Sequence, residues 1–213
     1  MLKIYSAKIA KIQKQHSPYS QPKENNLQTL TGELIVRQII SDQLGYDPQT
    51  ITILFDLYGK SHCKTPKQCH FNVSHSGEWV VCAFDNEPVG IDIQKIVHIP
   101  RKRMDMIVLR FFHKYEQIQY FNLKEMEKEN FFFTQWALKE SYIKLLGKGL
   151  RIPLQSFYAF LDKNGRGSIS DGCHIWYFQH YNIDSNYKLV ACSSNSSFPL
   201  SVKKISFPSI TKI

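Results

Sequence analysis

Apolar and polar positions follow two periods along this chain. The longest helical stretch is Phe131 to Leu150, FFFTQWALKESYIKLLGKGL. At about 100° per residue, Phe131, Leu138, Tyr142, Leu145 and Leu146 fall on one side, with Phe132, Trp136 and Ile143 beside them. Phe133 and Ala137 land opposite, which predicts a helix that is apolar almost all round and mostly buried. Asn130 is its candidate N-cap, and Gly147 stands where a left-handed residue would end it. Glu140 and Lys144 lie four residues apart and so share a face of this cylinder. Buried charges need partners, so the two are either a structural ion pair or part of a site.

The remaining elements follow from the same patterns. Residues 2–14 alternate as a strand with Leu2, Ile4, Ile9 and Ile12 inward, and 15–26 is a polar loop with two prolines. Leu27 to Leu44 has helical spacing and should stop at Gly45. Ile51–Phe55 is predicted as a short buried strand, followed by a loop over 57–60. Next come strands at His70–Ser74, Trp79–Phe84 and Val89–Gln94. In the last of these, Val89, Ile91 and Ile93 point one way and Gly90, Asp92 and Gln94 the other. Asp92 and Gln94 are thereby side by side, about 7 Å apart along the strand. An aspartate between two isoleucines is out of place in an ordinary strand.

Beyond Pro100, Met104–Phe112 is a predicted helix and His113–Glu129 a charged, flexible connection. Strands are expected at Phe157–Leu161, Ile175–Gln179 and Lys188–Cys192, with a turn at Lys163-Asn164-Gly165. The segment after Asn195 reads as a tail. Each half thus has a helix followed by strands, which points to an α+β fold of two similar subdomains, 1–100 and 101–213.

Composition narrows the function. The formal charge of +9 favours an anionic partner: nucleic acid, an acidic protein or a phosphorylated small molecule. The basic residues are scattered and form no nucleic-acid motif, so no nucleic acid is expected. No apolar run approaches the length of a membrane span, and the N-terminus lacks the continuous apolar core of a signal peptide. The five cysteines are odd in number, which fits reduced thiols in the cytoplasm. His62, Cys63, Cys69 and His70 cluster in sequence, but the gap between the cysteines is not a usual zinc spacing.

Asp92, Gln94 and Glu140 offer three hard oxygen ligands, a set suited to Mg²⁺ completed by water and phosphate oxygens. Ser74-His75-Ser76-Gly77, expected on the loop after a strand, can face a phosphate, and Lys144 can reach the same anion as a point charge. Metal, imidazole and ammonium around an anion are the parts of a phosphoryl-transfer site.

FNVSHSGEWVVCAF (71–84), VGIDIQ (89–94) and WALKESYIKLLGKGL (136–150) resemble the surfactin-synthetase type of 4′-phosphopantetheinyl transferase. Tyr58-Gly59-Lys60 is similar to the family's Y-G-K-P loop, and Phe111-Phe112 with Glu116 to its F-F-x-x-x-E segment. The resemblance implies two α+β halves related by a pseudo-twofold axis, a monomer built as a pseudo-dimer, with the active site in the cleft between them. It implies transfer of the phosphopantetheine arm of coenzyme A to a serine of an acyl or peptidyl carrier protein, in non-ribosomal peptide or polyketide synthesis, with Mg²⁺ or Mn²⁺. On that basis Asp92, Gln94 and Glu140 are metal ligands, and Lys60, Ser74, His75 and Lys144 are coenzyme contacts. Glu140, or a water backed by Glu116, is the base for the serine hydroxyl, and Lys144 is the group behind the departing bisphosphate. The family's usual third carboxylate is Gln94 here. Its arginine ahead of a T-L-x-G segment aligns with Gln28, leaving Lys8, Lys11 and Lys23 to reach the coenzyme's 3′-phosphate. Those two departures keep open an alternative, a non-catalytic binder of coenzyme A or a carrier protein.

Overall fold

The computed structural model describes residues 1–9, 24–57, 59–66 and 69–206. The first half runs β1 (Lys3–Lys8), α1 (Glu24–Leu44), β2 (Thr52–Phe55), β3 (Ser61–Thr65), β4 (His70–Ser76), β5 (Trp79–Asp85) and β6 (Val89–Lys95). Three helices follow, α2 (Arg101–Phe111), α3 (Lys114–Asn122) and α4 (Glu125–Leu146). Strands β7 (Arg166–Ser170), β8 (Ile175–Tyr181), β9 (Tyr187–Ser193) and β10 (Lys203–Lys204) are the last strands among the described residues.

The fold is α+β, and its order is helix, sheet, sheet, helix. One sheet has strand order β10-β1-β5-β4, the other β6-β9-β8-β7. Ile35, Val36, Ile39 and Ile40 of α1 bury against Tyr5, Phe71, Val80 and Cys82 on the outer face of the first sheet. Leu138, Tyr142 and Leu145 of α4 do the same against Phe178, Val190 and Cys192 of the second. The inner faces meet in a third core, where Leu2, Ile4, Val81 and Ala83 pack on Ile91, Ile93, Leu189 and Ala191. Covered on both sides, β5 is buried along its whole length, which explains its unbroken apolar run. Although β6 precedes residue 100, it pairs with β9 in the second sheet, and β10 pairs in parallel with β1 of the first. Each half therefore lends a strand to the other.

At one rim the edge strands β4 and β6 meet without forming a ladder. Side chains replace it: Asn72 Oδ1, Ser74 Oγ and Ser76 Oγ accept the backbone N–H groups of Ile91, Ile93 and Lys95 at 2.9, 3.2 and 2.9 Å. Alternate residues of β4 share a face, so one strand satisfies the other at every second position.

Several expectations are corrected. Ser74, His75 and Ser76 belong to β4 itself, held in register with β5, and the turn begins at Gly77. The 51–55 strand is not buried: only Ile51 is, while β2 pairs with the unexpected β3 and leaves Leu54 and Phe55 largely exposed. The charged 113–129 segment is not a loop. His113 and Glu116 cap α3 reciprocally, and Lys124 precedes α4, whose first turn accepts its N–H through Glu127. Asn130 is therefore inside α4, whereas Gly147 does end it, at φ 68°. Residues 157–161 alternate in burial without being a strand, because the Phe157 carbonyl accepts a lysine instead of a neighbouring backbone N–H. The expected tail contributes β10. The expected strand residues 10–14 lie outside the described residues.

Candidate active site

Gly90 sets the spacing of the site. A Cβ there would overlap the Ser141 carbonyl oxygen and lie 2.6 Å from the Leu145 nitrogen, so the bare backbone lets α4 settle directly on β6. Two residues along the same face of β6, Asp92 comes beneath the last turns of α4.

Asp92 is 2% exposed, and all its bonds come from neighbouring side chains. Its Oδ1 accepts Lys144 Nζ at 2.6 Å and Ser74 Oγ at 2.9 Å, and its Oδ2 accepts Gln94 Nε2 at 2.7 Å. Ser74 Oγ accepts in turn from Lys144 Nζ at 2.8 Å and from the Ile93 N–H. With one proton given and two accepted, that hydroxyl is saturated.

Glu140 lies one turn before Lys144 and is partly buried. Burial pushes its carboxyl above the usual range, the nearby Asp92 charge adds to this, and Lys144 opposes it. The structure thus brings Asp92, Gln94, Glu140, Lys144 and Ser74 together. His75 alternates to the opposite face of β4 and is largely exposed. It remains within electrostatic reach: desolvation first, then Lys144, lowers its pKa against the pull of Asp92, so its imidazole is neutral at physiological pH. Lys60 reaches the same end of α4, where its Nζ donates to the Leu145 carbonyl at 2.9 Å and desolvation lowers its pKa.

Glu116 is not brought to this group. It is 0% exposed and pairs with Lys139 Nζ at 2.7 Å, in a pocket that Asp92, Glu140 and Lys144 do not enter. Lys139 also donates to the carbonyls of Leu154 and Phe157 at 2.9 and 2.8 Å, so the pair ties α3 and the 154–157 segment to α4. Glu116, expected to back a reacting water, is thus placed in an ion pair inside the core and apart from the other site residues. Sequence reasoning passed over Lys139, although helical spacing puts it on one face with Phe132, Gln135 and Ile143, all of them buried.

Gln28, where the family has an arginine, donates its amide to the Gly77 carbonyl at 3.1 Å and holds the turn after β4. Lys8 pairs with Glu78 and covers the Trp79 ring. Lys11, Lys23 and Tyr58 lie outside the described residues. Among the described residues no three His, Cys, Asp or Glu side chains converge as a ligand set, the His62–His70 cluster included. The site's two carboxylates are supplemented by an amide.

Comparison with known proteins gives this geometry its meaning. A family model described as the 4′-phosphopantetheinyl transferase superfamily matches residues 88–192, and one for the N-terminal part of 4′-phosphopantetheinyl transferases matches 5–87. The chain is 38% identical over 187 residues to 4′-phosphopantetheinyl transferase Sfp of Bacillus subtilis (strain 168), covering 87% of this chain and 82% of that one. The chain belongs to the 4′-phosphopantetheinyl transferase superfamily. The transferase is also 42% identical over 136 residues to 4′-phosphopantetheinyl transferase gsp of Aneurinibacillus migulanus, 64% of this chain and 54% of that one. It is therefore an enzyme, moving phosphopantetheine from coenzyme A to a carrier protein, and the non-catalytic alternative is not favoured. The two family models meet at residues 87 and 88, at the β5–β6 connection where the chain passes from one sheet to the other.

Proposed function

We propose that Asp92, Glu140 and the amide oxygen of Gln94 hold Mg²⁺ or Mn²⁺ while Lys60, Ser74, His75 and Lys144 bind the pyrophosphate of coenzyme A. The observation that carries this is the Asp92 carboxylate, buried beside a second carboxylate whose pKa it raises and compensated by one ammonium. Two carboxylates in mutual repulsion, with an amide alongside, are the donor set of a hard divalent cation. Gln94 already faces Asp92 through its Nε2, which leaves its oxygen as the third ligand atom.

When bound, the ion offsets the charge that grows on the bridging phosphate oxygen as the P–O bond breaks. The chain supplies the rest. Lys144 would turn its ammonium from Asp92 to the pyrophosphate and donate a proton to the departing bisphosphate oxygen. Ser74 exchanges its bonds within the cluster for a phosphate oxygen, and neutral His75 donates an N–H from the open side. Lys60 adds a second positive charge at the C-terminal end of α4. Glu140 accepts the proton of the incoming serine hydroxyl.

The acceptor is an acyl or peptidyl carrier protein of non-ribosomal peptide or polyketide synthesis, whose acidic surface suits a chain of net charge +9. The test is loading of labelled coenzyme A onto an apo peptidyl carrier protein across a range of Mg²⁺ concentrations. Magnesium-dependent transfer is expected; no transfer at any concentration would overturn the proposal.

A further inference from the structure

Two strands meet at the site, β4 with Ser74 and β6 with Asp92, and side chains make the contact between them. Of the three residues that do so, Ser74 belongs to the polar cluster around Asp92, and Ser76 lies at the half-buried end of β4. Asn72 is different. It is 6% exposed, and its Oδ1 accepts the Ile91 N–H at 2.9 Å. That bond lies beside Gly90, where α4 settles on β6. The FNVSHSG segment thus spends a buried carboxamide on a backbone group of the neighbouring strand.

The place is a sensitive one. Ile91 and Ile93 flank Asp92, and both side chains are fully buried in the core between the sheets. Their N–H groups are held by Asn72 and Ser74, so both neighbours of Asp92 are fixed to β4. Asp92 itself pairs with Val190 of β9 on the other side. A backbone ladder would draw β4 and β6 to roughly 4.8 Å. A carboxamide between the backbones sets them farther apart, at a length its own covalent geometry fixes. Ser74 cannot set that spacing alone. Its hydroxyl already serves Asp92, Lys144 and the Ile93 N–H, and it must change partners to bind a phosphate. Asn72 lies two residues farther along β4 and holds Ile91 independently of that exchange.

We propose that Asn72 is a positioning residue for the transfer reaction. Through Ile91 it sets how far Asp92 stands from Ser74 and Glu140, and hence the space in which a divalent cation and the coenzyme's pyrophosphate meet. The role rests on the reading that Asp92 and Glu140 share that cation. Asn72 touches neither group and acts only by placing the strand, where a small displacement of a ligand is felt strongly.

The test is calorimetric titration of Mg²⁺ into the full chain saturated with coenzyme A, with loading kinetics alongside. Asn72→Leu keeps the size of the side chain and removes the acceptor. It should bind Mg²⁺ about tenfold more weakly, need correspondingly more Mg²⁺ for half-maximal transfer, and recover rate when Mg²⁺ is raised. Coenzyme A binding without metal should stay at the wild-type value, since Lys60, His75 and Lys144 are untouched. Asn72→Asp restores an oxygen at the same place and should bind Mg²⁺ at least as tightly as the wild type. In the wild type itself, the Ile91 amide should exchange with solvent as slowly with coenzyme A bound as without it. Normal Mg²⁺ binding by Asn72→Leu, or release of the Ile91 amide on coenzyme binding, would overturn the proposal. Asp92→Asn separates it from the reading beneath it. If that variant also keeps full Mg²⁺ binding, no cation sits at Asp92 and both fall; if it loses the ion while Asn72→Leu keeps it, only the positioning role falls.

Discussion

Lys144 Nζ sits 2.6 Å from Asp92 Oδ1, in the space between β6 and α4 that the proposed reaction assigns to a cation. The ammonium is part-exposed and the carboxylate fully buried, so the lysine can leave while the aspartate cannot. In the unliganded protein the lysine therefore competes with a divalent ion for the same oxygen.

That competition gives a prediction in which affinity and rate move oppositely. Lys144→Met should bind Mg²⁺ about tenfold more tightly in the absence of coenzyme A, because a screened charge pair of this kind is worth on the order of 1 kcal/mol. The same variant should transfer phosphopantetheine far more slowly, having lost its pyrophosphate contact. Calorimetric metal titration and a loading assay measure the two; weaker metal binding would contradict the competition.

Gly90 should tolerate no side chain. Gly90→Ala forces α4 away from β6 at Ser141 and Leu145, at a cost of about 1–3 kcal/mol. It should also lower the transfer rate, since Asp92 and Glu140 are carried by the two elements it separates. Denaturant unfolding and loading kinetics read both effects. A stable variant with full activity would show that the strand and helix do not need this contact.

The Lys139–Glu116 pair should be structural. Removing only the cation, as in Lys139→Met, leaves Glu116 buried and uncompensated and should cost about 3–5 kcal/mol of stability. Lys139→Met with Glu116→Gln should recover part of that loss in urea unfolding, and the recovered protein should retain transfer activity. A well-folded double variant without activity would return Glu116 to the reaction.

What was legible in the sequence and what was not divide along physical lines. The alternation through Val89–Gln94 placed Asp92 and Gln94 on one face, and helical spacing put Glu140 beside Lys144, because both patterns are local. The Gly147 cap was readable for the same reason. The reach of Lys139 into the carbonyls of Leu154 and Phe157 was not, since it depends on where a distant turn folds back. Glu116 entered as a candidate base through the F-F-x-x-x-E resemblance alone, and its pairing with Lys139 inside the core was not readable for the same reason. Similarly, Ser74 and Ser76 read as loop residues because their hydroxyls face a neighbouring edge strand that only the tertiary fold supplies. The short β10 was invisible because two lysines form a strand only against β1.

His180 sets a pH dependence of its own. Its folded-state pKa of about 4 lies below the value of roughly 6.5 expected of an unfolded histidine. The neutral ring therefore stabilises the fold fully above about pH 6.5, and that contribution is lost as pH falls toward 4. His180→Gln should flatten the unfolding midpoint between those limits relative to wild type, without removing the acid loss due to other groups. An unchanged profile would place the His180 ring in water.

The most direct measurement of the central claim is Mn²⁺ binding followed by electron paramagnetic resonance, in the presence of coenzyme A, for the wild type, Asp92→Asn and Glu140→Gln. One tightly held ion per chain is predicted for the wild type, and its loss in each variant while circular dichroism stays native. If either variant holds Mn²⁺ as the wild type does, Asp92 and Glu140 do not share a cation, and the proposed chemistry at this site is wrong.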